Sequence, residues 1–393
     1  MKKVIITDLL ILAVFGSTCF WSVKKDRLTA LVDKILTEQT SEDEEILVLT
    51  SSNLAKKNGQ IGETQMSENA DKASEENTTK DYIKWADFTV SKFALTESYE
   101  YDRDTYGTDR HISWIDLLAW TAAHTGGKFG DDRTVCKCME ELEMEAEAGK
   151  KLEELTEDLE YFPYYREVYE TVLGGMVGEY EIEEPDAQGR KVTQKRYGLK
   201  AFHPIAKGFP YTDYDDFGAS RSYGYRREHL GHDMMGQVGT PVVCVESGYV
   251  EALGWNQYGG WRIGIRSFDK KRYYYYAHLR QGFPYQPGLK EGSVVLAGDV
   301  IGYMGHTGYS TKEDVNNIDQ THLHVGMQLI FDESQKDSDN EIWIDCYQIM
   351  GFLYRNQSET ARNDETKEWR RIYEMKDPAA EKYERTLDFS MYP

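Results

Sequence analysis

The stretch "THLHVGMQLI", Thr321–Ile330, decides how the C-terminal half of this 393-residue chain is read. It reads as a strand, and in a strand successive side chains leave opposite faces, so His322 and His324 project from the same side. Other β-prone runs lie upstream: "PVVCVESGYVEALGW" (241–255), "WRIGIRSF" (261–268), "RYYYYAHL" (272–279) and "SVVLAGDVIGYMG" (293–305). Glycine-containing turns separate them at short spacing, with no room for the crossover helices that parallel strands need. An antiparallel sheet or partly open barrel is expected from about 196 to 333.

The pattern before this region is helical, which makes the chain α+β. Ser113 and Asp116 form a capping-box-like start, Ile115, Leu118, Ala119 and Ala122 make a face, and Gly126-Gly127 ends it. In "MEELEMEAEAGKKLEELTEDLEYF" (139–162), Leu142, Ala146, Leu152, Leu155 and Leu159 share a stripe beneath a charged face. Ile83, Ala86, Val90 and Phe93 also recur at helical spacing. Residues 80–180 are therefore expected to form a helical domain, with a structural or partner-binding role. Glu97 raises the idea of a glycan-cleaving acid, but that chemistry needs two carboxylates at a set separation, which sequence does not show. His111 and His124 read as polar residues flanking helices. Past the sheet, "WIDCYQIMGFLYRN" (343–356) looks helical, so 334–393 is expected to be a C-terminal helical tail.

The first 25 residues read as a signal or membrane anchor: Lys2 and Lys3, then an apolar run, then "KKDR". Asp8 interrupts the run and leaves 13 apolar-rich residues, Leu9 to Trp21, short of the ~20 of a standard span. Cleaved signal, uncleaved anchor and lipid attachment all put the body of the protein outside the cytoplasm. From about Glu38 to Thr79 the sequence is polar, acidic and free of aromatics, the composition of a solvated linker, and 26–79 is expected to be a disordered linker. The formal net charge of -22 argues against nucleic acid or an anionic membrane surface as a partner. The five cysteines are too few and too scattered for a disulfide framework and read as isolated thiols.

Seven of the nine histidines fall in the β region: His203, His229, His232, His278, His306, His322 and His324. "HLGHDMMG" (229–236) puts His229 and Asp233 four residues apart across Gly231, in a loop or strand entry. His278 ends a strand in which Tyr274 and Tyr276 are expected to share its side. A loop offering His229 and Asp233, with a strand offering a histidine pair, supplies the nitrogen and oxygen ligands that zinc prefers and leaves a fourth position for water. Such an ion polarises a carbonyl and lowers the pKa of bound water towards ~7. The helical zinc-protease motif, with glutamate beside the first histidine, is absent. A general base must then come from the surplus histidines, and spacing alone does not choose between His322 and His324 as ligand.

Taken together, "HLGHD" as H-x-G-x-D, "YAHL" as a strand-end histidine and "HLH" as H-x-H resemble the M23 (lysostaphin/LytM-type) metallopeptidases of bacterial cell walls. "AGDVIGYMGHTGYST" (297–311) resembles the glycine-rich hairpin ahead of the family's H-x-H. The resemblance covers roughly 196–333 and implies an antiparallel lysostaphin-type domain with Zn2+ held by His229, Asp233 and His324. It also implies that His278 and His322 face the metal without binding it, positioning water and stabilising the oxyanion. His203, His232 and His306 sit at no motif position and read as satisfied polar groups. One departure is "KEDVNNIDQ" (312–320), inserted where the family passes almost directly to H-x-H, and expected to bear on access to the metal. The function implied is a zinc metalloendopeptidase that cleaves peptide cross-links of peptidoglycan from an extracytoplasmic position, secreted or tethered. The alternative is a non-catalytic M23-like scaffold in cell division or a sporulation channel.

Overall fold

The computed structural model describes residues 82–222, 226–336 and 340–390. The expected signal or anchor (1–25) and linker (26–79) lie outside the described residues. Among the described residues no helix is long and apolar enough to cross a membrane.

Helices come first. α1 (Lys92–Thr105) starts where the Ser91 hydroxyl accepts a hydrogen bond from the Ala94 amide, at 3.2 Å. The expected helix around Ile83 does not form, because Ala86, Phe88 and Val90 are buried in alternation along a non-helical segment. Its apolar residues fit a period of two as well as the helical one. α2 (Trp114–Thr125) is capped by Ser113, whose hydroxyl accepts from the Asp116 amide and donates to its carboxylate, and it ends at Gly126 with φ 63°. The single stripe expected over 139–162 is broken into α3 (Asp132–Glu147) and α4 (Leu152–Thr156). Gly149 at φ 82° turns the chain between them, a conformation open to glycine and unfavourable for most residues. α5 (Phe162–Leu173) completes the set.

The first hairpin, β1 (Val177–Pro185) and β2 (Lys191–Leu199), begins upstream of the expected boundary at 196. The main sheet holds β3 (Thr212–Asp213), β4 (His232–Met235), β5 (Gly248–Asn256), β6 (Gly260–Ser267), β7 (Arg272–Ala277), β8 (Val294–Val295), β9 (His322–Leu329) and β10 (Ile342–Ile344). Its order is β8-β5-β6-β7-β9-β4-β3, with β10 also on β9, and its pairings are antiparallel. β4 covers the first half of one β9 edge and β10 the second half, so backbone groups along that edge find partners.

β10 falls in the segment expected to be a helical tail. That segment is mixed: α6 (Tyr347–Leu353) and α7 (Pro378–Ser390) are helical, but short strands at Thr360–Arg362, Trp369–Arg371 and Met375–Lys376 lie between them. Met375–Lys376 returns to pair with β1. Phe352 of α6 packs edge-on against Tyr99 of α1, with ring centroids 5.7 Å apart.

One apolar cluster runs from the helices into the sheet, from Leu118 and Leu173 to Tyr274, Met327 and Phe352. Arg272 of β7 is 1% exposed and ties the two together, donating to the Thr171 carbonyl near the end of α5 at 2.7 Å and to Glu246 at 2.8 Å. Carbonyls in a helix's last turn lack intrahelical partners, and a buried guanidinium supplies both donors and favourable charge there. Cys138, Cys244 and Cys346 carry free thiols, whereas Cys136 is disulfide-bonded, against its expected reading as an isolated thiol.

Candidate metal and catalytic site

Strand alternation sorts β9 into two sets. Leu323, Val325, Met327 and Leu329 are fully buried in the core, while His322, His324 and Gln328 line an open cleft of roughly 740 Å³ on the other face. Asp233 on β4 is the direct cross-strand partner of His324. His229 reaches the same point from the turn before β4, where its amide donates to the Ala219 carbonyl at 2.9 Å. His229 Nε2 lies 3.0 Å from Asp233 Oδ1 and 2.9 Å from His324 Nδ1, and His324 Nδ1 lies 2.9 Å from Asp233 Oδ1.

This triangle of donor atoms fits a metal ion. Ligands about 2.0–2.1 Å from a tetrahedral zinc lie about 3.3–3.4 Å apart, so the triangle needs to open by only a few tenths of an ångström. His229 Nδ1 faces the Asp216 carbonyl at 3.1 Å and therefore carries the proton, which leaves a lone pair on Nε2 in the neutral ring. Burial opposes ionisation of Asp233, but its contacts with the His229 and His324 imidazoles outweigh burial and hold the carboxyl well below its usual range. Burial also lowers the pKa of His324, favouring the neutral form that a ligand requires.

Gly231 has a steric role here. A Cβ at this position would lie 2.5 Å from His324 Cε1 and Nε2 and 2.9 Å from the Val325 carbonyl. The backbone of the motif passes against the imidazole it helps to seat.

His278 and His322 stand beside the triangle, with ring centroids 4.7 Å apart. His322 Nδ1 donates to the Gln320 carbonyl at 2.8 Å, and its Nε2 is 3.8 Å from Asp233 Oδ1. His278 Nδ1 donates to the Thr307 carbonyl at 2.9 Å. Each ring thus leaves Nε2 as a lone-pair acceptor. Burial, reinforced by His322 and His324, pushes the His278 pKa well down, so this ring is neutral.

The expected grouping of His278 with Tyr274 and Tyr276 is overturned. Those two tyrosines are fully buried in the core, whereas Tyr273 and Tyr275 face the cleft. Simple alternation would send His278 to the core, but its φ of 60° breaks the strand and returns the imidazole to the cleft side. A left-handed φ costs a residue with a Cβ energy, and such strain concentrates at functional sites.

The remaining histidines lie elsewhere. His232 points to the opposite face and bonds Asp213 at 2.9 Å. His306 Nδ1 donates to the Ile318 carbonyl at 2.8 Å. His203 is fully buried against Tyr211, and burial pushes its pKa down to about 4. His111 bonds the buried Asp102 at 2.8 Å, His124 bonds the Trp120 carbonyl at 2.8 Å, and Glu97 is buried in α1.

Sequence reasoning missed Asp216 and Arg221. Asp216 Oδ2 lies 3.2 Å from His229 Nδ1, and Arg221 Nη2 bridges Asp216 at 2.6 Å and Asp233 Oδ2 at 3.1 Å. They hold His229 and Asp233 in place from behind, the arrangement in which carboxylates orient histidines that bind a metal. No local signal marks them, since the contact depends on how the turn folds back. The 312–320 insertion braces a neighbouring loop: Asp314 accepts from Trp261 Nε1 at 2.7 Å and from the Gly282 amide at 2.8 Å.

Residues 227–338 match the model of Peptidase family M23. This segment is an M23 domain. The L-Ala--D-Glu endopeptidase of Bacillus subtilis (strain 168) is 43% identical over 124 residues, 32% of this chain and 36% of that protein. Lysostaphin of Staphylococcus simulans is 39% identical over 84 residues, 21% of this chain and 16% of that protein. The chain thus matches well under half the length of these curated relatives. A solved structure of a lytM protein from Ruminococcus gnavus is 20% identical, covers 70% of this chain and 91% of its own, and has a TM-score of 0.45.

Proposed function

We propose that the M23 domain is a zinc-dependent endopeptidase acting on the peptides of peptidoglycan. The observation that carries this reading is the convergence of His229, Asp233 and His324 within 4.8 Å of one another, with two further imidazoles beside them in an open cleft. The similarity of the domain to an L-Ala--D-Glu endopeptidase and to lysostaphin supports the substrate class.

In this reading His229 Nε2, Asp233 and His324 Nδ1 would hold zinc. The ion supplies Lewis acidity, which polarises the scissile carbonyl and makes water acidic enough to attack at neutral pH. His278 and His322 direct Nε2 towards the same space, each fixed through Nδ1 by a backbone carbonyl. One accepts the proton of the attacking water and, once protonated, a ring can donate to the developing oxyanion or the leaving amine. Arg221 and Asp216 keep the ligands oriented. Such a substrate places the domain outside the cytoplasm, with residues 1–25 as its signal or anchor and residues 80–180 as a region for contact with a protein partner.

The test is to incubate the purified protein with peptidoglycan, with and without a zinc chelator, and to identify the released muropeptides. New amino termini that disappear on chelation and return with zinc support the proposal. A zinc-loaded protein that releases none points instead to the scaffold role.

A further inference from the structure

The cleft contains a guanidinium to which nothing above gives a role. Arg262 lines the cleft from β6, and its Nη1 is buried without a hydrogen-bond partner. Other cations of the cleft are engaged: Arg221 by Asp216 and Asp233, Lys336 by Glu251 at 2.9 Å, and Arg227 by the Tyr309 hydroxyl at 3.1 Å and the Tyr258 ring. Of the nearby carboxylates, Glu251 gives Oε1 to Lys336 while its Oε2 is buried without a partner, and Glu341 takes Trp343 Nε1 at 2.8 Å; none of them is hydrogen-bonded to Arg262 Nη1. A buried guanidinium N–H left unpaired is costly and rare in a folded protein, and in a cleft it marks the place of a missing acceptor.

The sheet register locates that acceptor relative to the metal ligands. Tyr276 pairs with Ile263 and Tyr275 with Gly264, so the same register carried one residue further sets Ala277 beside Arg262. Ala277 pairs with His324, and His324 with Asp233. Arg262, Ala277, His324 and Asp233 therefore form one row across four adjacent strands. Two strand spacings put the Arg262 backbone about 10 Å from that of His324. Ala277, fully buried, places only a methyl group between them, so no bulky side chain of the row stands between Arg262 and His324. About three extended residues span that distance.

We propose that Arg262 is a specificity residue that binds a free carboxylate of the peptide substrate, within about three residues of the scissile bond. Guanidinium pairs with carboxylate through two parallel N–H donors, and a carboxamide at the same place offers only one acceptor oxygen and no charge. The inference rests on the peptidase reading for its reaction, although binding of the carboxylate is independent of turnover.

The experiment uses the full chain loaded with zinc and two muropeptide preparations, identical except that the glutamyl α-carboxyl is free in one and amidated in the other. The wild type should show a kcat/KM at least tenfold higher on the free acid. In Arg262→Gln that ratio should collapse towards one through KM, with zinc content intact, and Arg262→Lys should recover part of it. An unchanged ratio in Arg262→Gln, or no preference in the wild type, overturns the proposal. If the wild type hydrolyses neither, the peptidase reading fails and calorimetric titration decides the site: tighter binding of the acid by wild type than by Arg262→Gln supports it, and equal affinity overturns it.

Discussion

Asp233 and His324 face each other directly across β4 and β9, with Oδ1 and Nδ1 2.9 Å apart. His322, two residues earlier on β9, is opposite Met235 instead, and its Nδ1 is spent on the Gln320 carbonyl. The pairing register thus gives the two histidines of "HLH" different surroundings despite their common face. His229→Ala, Asp233→Ala and His324→Ala should each lose bound zinc by elemental analysis, because removing one of three protein ligands leaves an incomplete shell. His278→Ala and His322→Ala should keep zinc and lose on the order of 10²-fold or more in rate. Loss of metal from His322→Ala, with metal retained in His324→Ala, would reverse the assignment.

The contact of Gly231 with His324 leads to a second expectation. Gly231→Ala should weaken zinc binding about 10–100-fold, the scale seen when the groups that orient a ligand are disturbed. Competition with a chelator of known affinity measures it, and circular dichroism checks that the fold survives. Wild-type affinity in the variant would mean that the backbone yields at no cost.

His278 makes a third case, because its function and its backbone conformation can be separated. At φ 60°, glycine is comfortable where alanine is not. His278→Gly should therefore be more stable than His278→Ala by about 1 kcal/mol, although both lack the imidazole. Denaturant unfolding of the two proteins, in the same zinc-loaded state, compares them. The opposite order would show that the left-handed turn is not retained once the ring is gone.

The inserted loop should act as a brace. Asp314→Ala removes the acceptor for Trp261 Nε1 and the Gly282 amide and should cost about 1–2 kcal/mol of stability, with zinc content unchanged. Thermal unfolding reads this directly. A variant as stable as wild type but altered in its choice of muropeptide would assign the loop to substrate selection.

Local sequence by itself determined those features in which the neighbours along the chain carry the physics. The alternation in "THLHVGMQLI" put His322 and His324 on one face, Ser113 and Gly126 bounded α2, and the spacing of "HLGHD" marked His229 and Asp233 as a pair. Tertiary structure decided the rest. His278 faces the cleft because its backbone leaves the strand at a left-handed φ, which the run of four tyrosines does not announce. The helix expected at Ile83 became an extended segment once burial against the core selected one of two compatible periods. β10 formed in a stretch with helical character because half of the β9 edge was open to pair with it. Asp216, Arg221 and Arg262 acquired meaning only through turns and strand registers that bring distant residues together, since a side chain's partners are fixed by distance in space, and separation along the chain says little about that.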